Sequence, residues 1–426
     1  MNNFDKVIGY ETIKTELLQI CDMIHNREVY ENLGAKLPCG VLLYGAPGLG
    51  KTLMANCLIE ECGLKAYTIR RNKETNSFVE EITDTFRKAK ENAPSVIFLD
   101  DMDKFANEDE GHRDAEEYVA VQSGIDEVRG FDVFVLATVN DKRKLPGSLI
   151  RSGRFDRKIE MHRPTQKDAT AIIAHYLKSK KIDDDINMED VSMMISYSSC
   201  AELETILNEA AIIAAFERRT KITMNDIVSA VLRKEYNSFD NHTEPSEEDL
   251  RKIALHEAGH LVVCEVLCEG SVGLASIRKT EYNSIGGFIH KCKDFRRDSY
   301  DILVSLAGKA AVELYYSDTP AEGCWPDIHR AAEQLNNEIS SRGACGLGLI
   351  DITTFDNSDA SEDFKSKNEA VTYAELERYM LKARSIILKN REFLEKVTEA
   401  LLEKETLLYS DIKKLRENIT IISVSM

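Results

Sequence analysis

Residues 256–260 of the 426-residue chain read His256-Glu257-Ala258-Gly259-His260. The apolar residues on both sides of this stretch, without proline, predict a helix on which both imidazoles project from one face and can bind one metal ion. Glu257 follows the first histidine directly and could take the proton of a metal-bound water during peptide hydrolysis. Zinc suits this set, because two imidazoles and a carboxylate leave a fourth position open for water. The alternative is a structural helix that happens to carry two histidines.

A second chemical pattern lies around residue 50, at Gly45-Ala46-Pro47-Gly48-Leu49-Gly50-Lys51-Thr52. It follows Gly40–Tyr44, a short apolar run typical of a buried strand, and it precedes a predicted helix from Leu53 to Glu61. Glycines between a strand and a helix let backbone N–H groups surround phosphate oxygens, while Lys51 neutralises the β- and γ-phosphates and Thr52 binds magnesium. We therefore expect Gly45–Leu53 to bind a nucleotide with its Mg2+ ion.

Polar groups that follow two further predicted strands would complete this nucleotide site. The strand Val96–Leu99 is followed by Asp100, which would hold magnesium, and by Asp101, from which a carboxylate can orient the attacking water. The strand Val133–Thr138 ends near Asn140, which could sense the γ-phosphate. The order of these groups along the chain predicts nucleotide hydrolysis as well as binding.

Arg151 and Arg154 come next, on either side of Gly153. They could be surface charges, or they could be arginine fingers that reach the nucleotide of a neighbouring subunit. Their position after the predicted strands favours fingers. That interpretation requires a ring of subunits, because a finger acts only across an interface.

The elements that must position these groups follow from the pattern of the whole chain. Strands alternate with helices from Gly40 to about Met161, which predicts a parallel sheet covered by helices on both faces. From residue 166 to 235 the pattern becomes helical, and a polar stretch follows. The predicted organisation is a P-loop α/β nucleotide-binding domain at 1–163, a small helical lid at 164–238, a linker at 239–248 and a mostly α-helical protease domain at 249–426.

The composition is that of a soluble globular protein, with 43% hydrophobic and 30% charged residues. The formal net charge of -18 argues against general binding to nucleic acid phosphates. The ten cysteines form no Cys-x-x-Cys pair, which favours reduced thiols in a cytosolic protein. The chain has no apolar run of about 18 residues and no basic leader before an apolar run. We therefore expect a cytoplasmic protein that does not span a membrane.

In their order along the chain, these motifs resemble the FtsH-type AAA+ zinc metalloproteases, from about Phe4 to about Ile350. The resemblance implies an ATP-driven hexamer that unfolds protein substrates and threads them to a zinc peptidase, with Zn2+, ATP and Mg2+ as cofactors. It rests on a set of motifs that is more specific together than any member alone: Gly45–Thr52, Asp100 with Asp101, Asn140, Arg151 with Arg154, Ala201-Glu202-Leu203, and His256 to His260.

The family's third zinc ligand is an aspartate downstream of the two histidines, and the resemblance assigns that role to Asp327 within Glu322–Ala332. Asp327 could instead be the N-cap of a helix at Ile328–Ile339, and His329 is a rival ligand two residues further on. The resemblance also matches Ser284–Ile289 to the edge strand on which the family lays its substrate. Paired glycines there would permit close backbone approach.

Three features depart from the family pattern. We expect the family's N-terminal transmembrane helices to be missing, since the chain begins directly at the segment that leads into the nucleotide site. Asp101 stands where most relatives have glutamate, which is one methylene longer. The family's pore loop falls between Ile69 and Phe86, where Phe78 with Val79 is the single candidate for gripping a substrate and no glycine follows.

These observations leave three functions open. The leading hypothesis is an ATP-dependent zinc endopeptidase that uses Glu257 as base and degrades proteins in a ring. The second is a zinc peptidase whose ATPase half only gates or assembles the ring, which Asp101 and the altered pore segment favour. The third is a remodelling ATPase with weak or no proteolysis, and the intact His256-Glu257-x-x-His260 motif argues against it.

Overall fold

The computed structural model describes residues 2–71, 78–106, 115–238, 246–279, 286–295, 297, 299–316, 321–342 and 362–423. The chain divides into two compact units, one of Met1–Ser179 with Tyr197–Leu207 and one of Lys180–Ser196 with Asn208–Met426. Within the predicted linker at 239–248, residues 239–245 lie outside the described residues, and a helix begins at Glu247.

The first unit is built on a five-stranded sheet with the strand order β2-β3-β4-β1-β5, in which all neighbours are parallel. Its strands are β1 (Gly40–Tyr44), β2 (Lys65–Ile69), β3 (Ser95–Leu99), β4 (Val133–Val139) and β5 (Arg157–Glu160). The continuous apolar runs of β3 and β4 are buried along their whole length, as expected for strands covered on both faces. The predicted α/β class is thereby confirmed.

The described helices of this unit include α1 (Glu11–His25), α2 (Arg27–Asn32), α3 (Lys51–Cys62), α4 (Phe78–Glu91), α5 (Ala115–Val128) and α6 (Gln166–Leu177). Helices α1 and α3 form a core on one face of the sheet, and α4 and α5 form a separate core on the other. Leu42 of β1 enters the core shared with α4 and α5, whereas its neighbours Val41 and Leu43 enter the core shared with α1 and α3. This alternation is the period of two that a strand imposes on its side chains.

The second unit is mostly helical. It contains α7 (Met188–Met194), the end of α8 (Cys200–Phe216), α9 (Met224–Tyr236), α10 (Glu247–Leu267), α11 (Ser299–Val312), α12 (Ala321–Arg342), α13 (Glu362–Lys389), α14 (Arg391–Lys404) and α15 (Tyr409–Glu417). A small antiparallel sheet of β6 (Val272–Ser276), β7 (Phe288–Lys291) and β8 (Thr406–Leu408) has the order β7-β6-β8. One hydrophobic core joins α10 to α14 with this sheet.

Helices α10 and α11 cross at very short range inside this core. A Cβ atom on Gly259 would lie 2.5 Å from the carbonyl oxygen of Ala307, so only glycine fits at that point of α10. The crossing fixes the rotation of α10 about its axis and therefore the direction of the two histidine side chains. Among the described helices, none has an apolar stretch long enough to cross a bilayer.

Candidate nucleotide and metal sites

A pocket of about 360 Å³ lies at the carboxyl ends of β1, β3 and β4 in the first unit. These three strands are neighbours and parallel, so the residues that follow them meet at one edge of the sheet. The pocket is lined by the predicted nucleotide-binding residues together with Lys104: Pro47, Gly48, Gly50, Lys51, Thr52, Leu53, Asp101, Lys104 and Asn140. The side chain of Leu49 is 2% exposed and belongs to the core instead.

Lys51 is the first residue of α3 and points its ammonium group along the loop that precedes it. Its Nζ donates hydrogen bonds to the carbonyl oxygens of Gly45 and Ala46 and to Oδ1 of Asn140, each at 2.8 Å. Gly50, the N-cap of α3, has a φ of 86°, a left-handed conformation that favours glycine. This conformation sets the direction in which α3 leaves the loop. The ammonium group and the N-terminus of α3 thus converge where phosphate oxygens would bind.

Asp100 is buried and is aligned by two hydroxyl groups. Thr52 Oγ1 donates to Asp100 Oδ1 at 2.9 Å, and Thr138 Oγ1 donates to the same oxygen at 2.8 Å. Thr138 also accepts the backbone N–H of Asp101 at 2.9 Å, so it orders both acids. The sequence identifies Thr138 only as the end of a predicted strand. The signal that the sequence offered was a single hydroxyl-bearing residue near the end of an otherwise apolar strand.

Asp101 faces the pocket and contacts two polar side chains. Its Oδ2 accepts a hydrogen bond from Lys104 Nζ at 2.6 Å, and its Oδ1 lies 3.4 Å from Asn140 Nδ2. Lys104 was not singled out from the sequence, because nothing in its local pattern distinguishes it from a surface lysine. The structure therefore brings Thr52, Asp100, Asp101 and Asn140 together around one pocket.

The two predicted arginine fingers have different environments. Arg154 is 3% exposed; its Nε and Nη2 donate to Asp126 at 3.0 and 2.7 Å, and its Nη1 donates to the carbonyl of Ser148. A bidentate pair inside the subunit occupies the guanidinium group. In the single subunit Arg154 is therefore held by Asp126 and not presented to solvent, and its role as an arginine finger stays a prediction. Arg151 is exposed.

Phe78, the predicted substrate grip, is also buried. It begins α4, is 3% exposed and packs edge-on against Phe105 with ring centroids 5.4 Å apart. The prediction is wrong because α4 is amphipathic and turns Phe78 to the core with its other apolar residues. Residues 72–77 of the predicted pore segment lie outside the described residues.

The metal-binding residues predicted from the sequence converge in the second unit. His256 Nε2 and His260 Nε2 of α10 lie 3.1 and 3.3 Å from Asp327 Oδ2 of α12, and the two nitrogens lie 3.0 Å apart. Two imidazole nitrogens and a carboxylate oxygen at such distances fit zinc. In the described part of the chain, no other group of three His, Cys, Asp or Glu side chains has this geometry.

Helix α12 excludes both alternatives to Asp327 as the third ligand: that Asp327 is an N-cap, and that His329 binds the metal instead. Because α12 begins at Ala321, Asp327 lies inside the helix and is not its N-cap. His329 points away from the cluster into solvent, where its ring stacks on the exposed Trp325 with centroids 5.2 Å apart.

The hydrogen bond of His260 determines which of its nitrogens can face a metal ion. Nδ1 lies 2.6 Å from the carbonyl oxygen of Val304 in α11, and since a carbonyl can only accept, Nδ1 must carry the proton. Nε2 is then free to coordinate, as is usual for a metal-binding histidine. Burial lowers the pKa of His260, but the carboxylates of Asp327 and Glu257 outweigh it and raise the pKa to about 9, so zinc would have to displace a proton from Nε2 on binding.

Glu257 is 4% exposed, and burial raises its pKa to about 8. Two glycines make room for the site. A Cβ atom on Gly287 would lie 2.4 Å from Glu257 Oε1, and one on Gly308 would lie 2.5 Å from the ring of His256. The sequence suggests that Gly287 permits close approach of a substrate, whereas in the structure it lies against the carboxylate of Glu257. Gly308 carries no local signal in the sequence.

The predicted substrate strand is described only in part. Residues 280–285 lie outside the described residues, while Phe288 and Ile289 begin β7. This strand forms one edge of the order β7-β6-β8, pairing with β6 in antiparallel register. The described part of the predicted strand therefore lies directly after the glycine that contacts Glu257.

Two protein families match the chain. The ATPase family associated with various cellular activities (AAA) matches residues 41–163, and Peptidase family M41 matches residues 243–415. These matches contain the nucleotide pocket and the metal cluster, respectively.

Similar proteins come from several bacteria and are named ATP-dependent zinc metalloprotease FtsH. The protein of Leptotrichia buccalis is 31% identical over 97% of this chain and 56% of its own length. The corresponding figures are 32%, 97% and 64% for Streptobacillus moniliformis, and 30%, 97% and 72% for Thermotoga maritima. The chain thus spans 56% and 64% of the first two relatives. Its motifs, its two family matches and its likeness to these proteins over nearly its whole length show that the chain belongs to the FtsH family.

Proposed function

We propose that this chain is an ATP-dependent zinc endopeptidase that degrades protein substrates as a hexameric ring. The observation that carries the proposal is the convergence of His256, His260 and Asp327 beside Glu257, in a chain that also forms a nucleotide pocket. A remodelling ATPase without proteolysis would have no use for this buried set of ligands and base.

The peptidase half supplies the groups that peptide hydrolysis needs. Zinc held by the two histidines and Asp327 would supply a Lewis acid and an activated water. Glu257 takes the proton of the attacking water and passes it to the leaving amine. The edge strand β7 offers backbone groups to an extended substrate beside this carboxylate.

The nucleotide half supplies the groups that ATP hydrolysis needs. ATP with Mg2+ would supply the free energy for moving a substrate. Lys51 binds its phosphates, and Thr52 with Asp100 provides the oxygen atoms for magnesium. Asp101 and Asn140 face the same pocket and orient the attacking water.

The ring follows from Arg151. It is exposed and lies after the strand that leads to Asn140, so it is available to the nucleotide of a neighbour, whereas Arg154 is not. An arginine finger acts across an interface between subunits, and the resemblance to the FtsH family implies a closed ring of six subunits. Mass measurement in ATP should give a hexamer, and a monomer with full ATPase activity would contradict the proposal.

The organisation of the chain is proposed on the same basis. The family matches at 41–163 and 243–415 support a nucleotide-binding domain at 1–163 and a peptidase domain at 249–426, with a lid at 164–238 and a linker between. We place the protein in the cytoplasm, where ATP and reduced thiols are both available.

Degradation of two test proteins, one unstructured and one folded, tests the function. Each is incubated with the zinc-loaded protein with ATP, without ATP, and with the slowly hydrolysed analogue ATPγS. We expect loss of both substrates with ATP, with Glu257→Gln and Lys51→Ala as inactive controls. Failure of the wild-type protein to cleave either substrate under any condition would contradict the proposal.

A second candidate is a zinc peptidase whose ATPase half only gates or assembles the ring. The burial of Phe78 favours it, because this side chain cannot grip a substrate in the structure. In that case the unstructured substrate is degraded equally well with ATP and with ATPγS, and the folded substrate resists under both conditions. The same experiment therefore separates the two candidates.

A further inference from the structure

The edge strand β7 is fixed by side chains that lie outside the peptidase match. Ser196 and Tyr236 precede residue 243, at which the match to Peptidase family M41 begins, whereas Phe288 and His290 lie inside it. All four belong to the second compact unit. The strand beside the peptidase site is thus completed by residues from the segment between the two family matches.

Tyr236, the last residue of α9, contacts β7 in two ways. Its ring stacks on Phe288 with centroids 3.9 Å apart and an interplanar angle of 18°. Its hydroxyl group lies 2.6 Å from Nδ1 of His290. Phe288 and His290 are two residues apart in a strand, so they lie on the same face of β7 and both face α9.

The second nitrogen of His290 is also paired. Nε2 lies 2.8 Å from Oγ of Ser196, which follows α7. Burial lowers the pKa of His290 to about 4, so the imidazole is neutral and has one donor and one acceptor nitrogen. Two hydroxyl groups, which can each donate or accept, satisfy it completely. The two contacts define one position for the ring.

Helix α7, which immediately precedes the turn with Ser196, is held against β6 and α15. A Cβ atom on Gly273 of β6 would lie 2.3 Å from the carbonyl oxygen of Met193, so α7 packs on the strand without an intervening side chain. Asp190 of α7 accepts hydrogen bonds from the backbone N–H and the hydroxyl of Ser410, at 2.7 and 2.8 Å. Ser196 therefore offers a fixed point for His290.

The position of β7 matters for the site because the strand begins next to Glu257. Gly287, which immediately precedes Phe288, leaves no room for a Cβ atom against the Glu257 carboxylate. Among the described strands, β7 pairs only with β6, so its other edge is not held by a backbone ladder. Contacts on its face must therefore keep the strand in place.

We propose that Tyr236 is a positioning residue for proteolysis: it holds β7 through Phe288 and His290, so that a substrate paired with this strand lies in register with Glu257. Ser196 supports the same histidine from the turn after α7. The inference rests on the proposed peptidase function. It also means that the segment between the nucleotide-binding and peptidase matches sets how well the peptidase site binds its substrate.

The test uses the whole 426-residue chain, loaded with zinc, and a short fluorogenic peptide, which reaches the site without being unfolded. Tyr236→Ala removes the stacking and the hydrogen bond, Tyr236→Phe removes only the hydrogen bond, and Ser196→Ala removes only the second support. Tyr373→Ala, at a tyrosine that is 69% exposed on α13, is the matched control. The readouts are KM, kcat, zinc content and amide hydrogen exchange of residues 288–291.

We expect Tyr236→Phe and Ser196→Ala each to raise KM about fivefold, the effect of one lost hydrogen bond. Tyr236→Ala should raise KM more than tenfold, since the aromatic contact is lost as well. Hydrogen exchange in β7 should accelerate in the same order, while kcat, zinc content and exchange in α10 stay unchanged. Tyr373→Ala should resemble the wild type.

Unchanged KM and unchanged exchange of β7 in Tyr236→Ala would overturn the inference. Loss of zinc or a drop in kcat without a change in KM for the two milder variants would also overturn it, because Tyr236 and Ser196 would then support the fold in general. A wild-type protein that cleaves no peptide would instead refute the proposed function, and hydrogen exchange would still decide whether Tyr236 holds the strand.

Discussion

The nucleotide pocket and the metal site differ in how their parts are positioned. Each group of the nucleotide pocket follows the end of its own strand, and the order of the parallel sheet brings β1, β3 and β4 together. None of the metal-site ligands lies on a strand or follows one; all three lie on helices. The metal site depends on α12 meeting α10, since His256 and Asp327 are 71 residues apart. The first site is therefore determined by topology, and the second by the packing distance between helices.

Glu257→Gln should give the largest effect and shows whether the two sites are chemically independent. Peptide cleavage should fall about 10³-fold, because only the base is removed. Zinc content and ATP hydrolysis should stay at wild-type levels, as measured by elemental analysis and phosphate release. A simultaneous loss of ATP hydrolysis would show that the two sites are coupled more tightly than their separate construction suggests.

Asp101→Asn makes the corresponding change in the nucleotide pocket. ATP hydrolysis should fall about 10²-fold, since an amide cannot orient the attacking water as the carboxylate does. Nucleotide binding, followed by fluorescence of a labelled ATP, should remain, because Lys51 and Thr52 are unchanged. Cleavage of short peptides should also persist. Asp101→Glu lengthens this side chain by one methylene group, and we expect it to raise the rate of ATP hydrolysis.

Gly308→Ala tests whether the metal site depends on helix packing. The added Cβ atom would lie 2.5 Å from the ring of His256, so this ligand must move. Zinc affinity should fall between about 10- and 100-fold, as for other changes that displace a ligand indirectly. Gly147→Ala is the control, because nothing lies within 4 Å of the added atom. Equal zinc affinity in both variants would contradict the packing argument.

The two arginines should give the smallest effects, of different kinds. Arg154→Ala should lower the free energy of unfolding of the first unit by about 1–2 kcal/mol, since Asp126 is partly exposed and the pair is neither fully buried nor fully solvated. Arg151→Ala should leave thermal unfolding unchanged and reduce ATP hydrolysis in the assembled protein. If Arg154→Ala instead affects only hydrolysis, the guanidinium group must leave Asp126 when subunits assemble.

The sequence predicts the nucleotide half closely because its signals are local. The strand Gly40–Tyr44 has the predicted bounds, and the loop after it forms the predicted pocket. The roles of Thr138 and Gly308 were missed, because they consist of contacts with residues far away in the chain. The prediction for Phe78 was wrong for a related reason: a side-chain type suited to an exposed role does not reveal that the fold buries it, and the burial of Arg154 in the single subunit was missed in the same way.

The close crossing of α10 and α11 also limits which residues the chain can accept at position 259. Gly259 faces the backbone of Ala307 at a distance that admits no side chain, so any substitution at position 259 would push the two helices apart. Asp327 takes no part in this crossing, since it lies on α12 and its side chain ends in the site itself. Selection or redesign can therefore exchange Asp327 for another ligand and change the metal preference, while the scaffold that aims the ligands must stay the same.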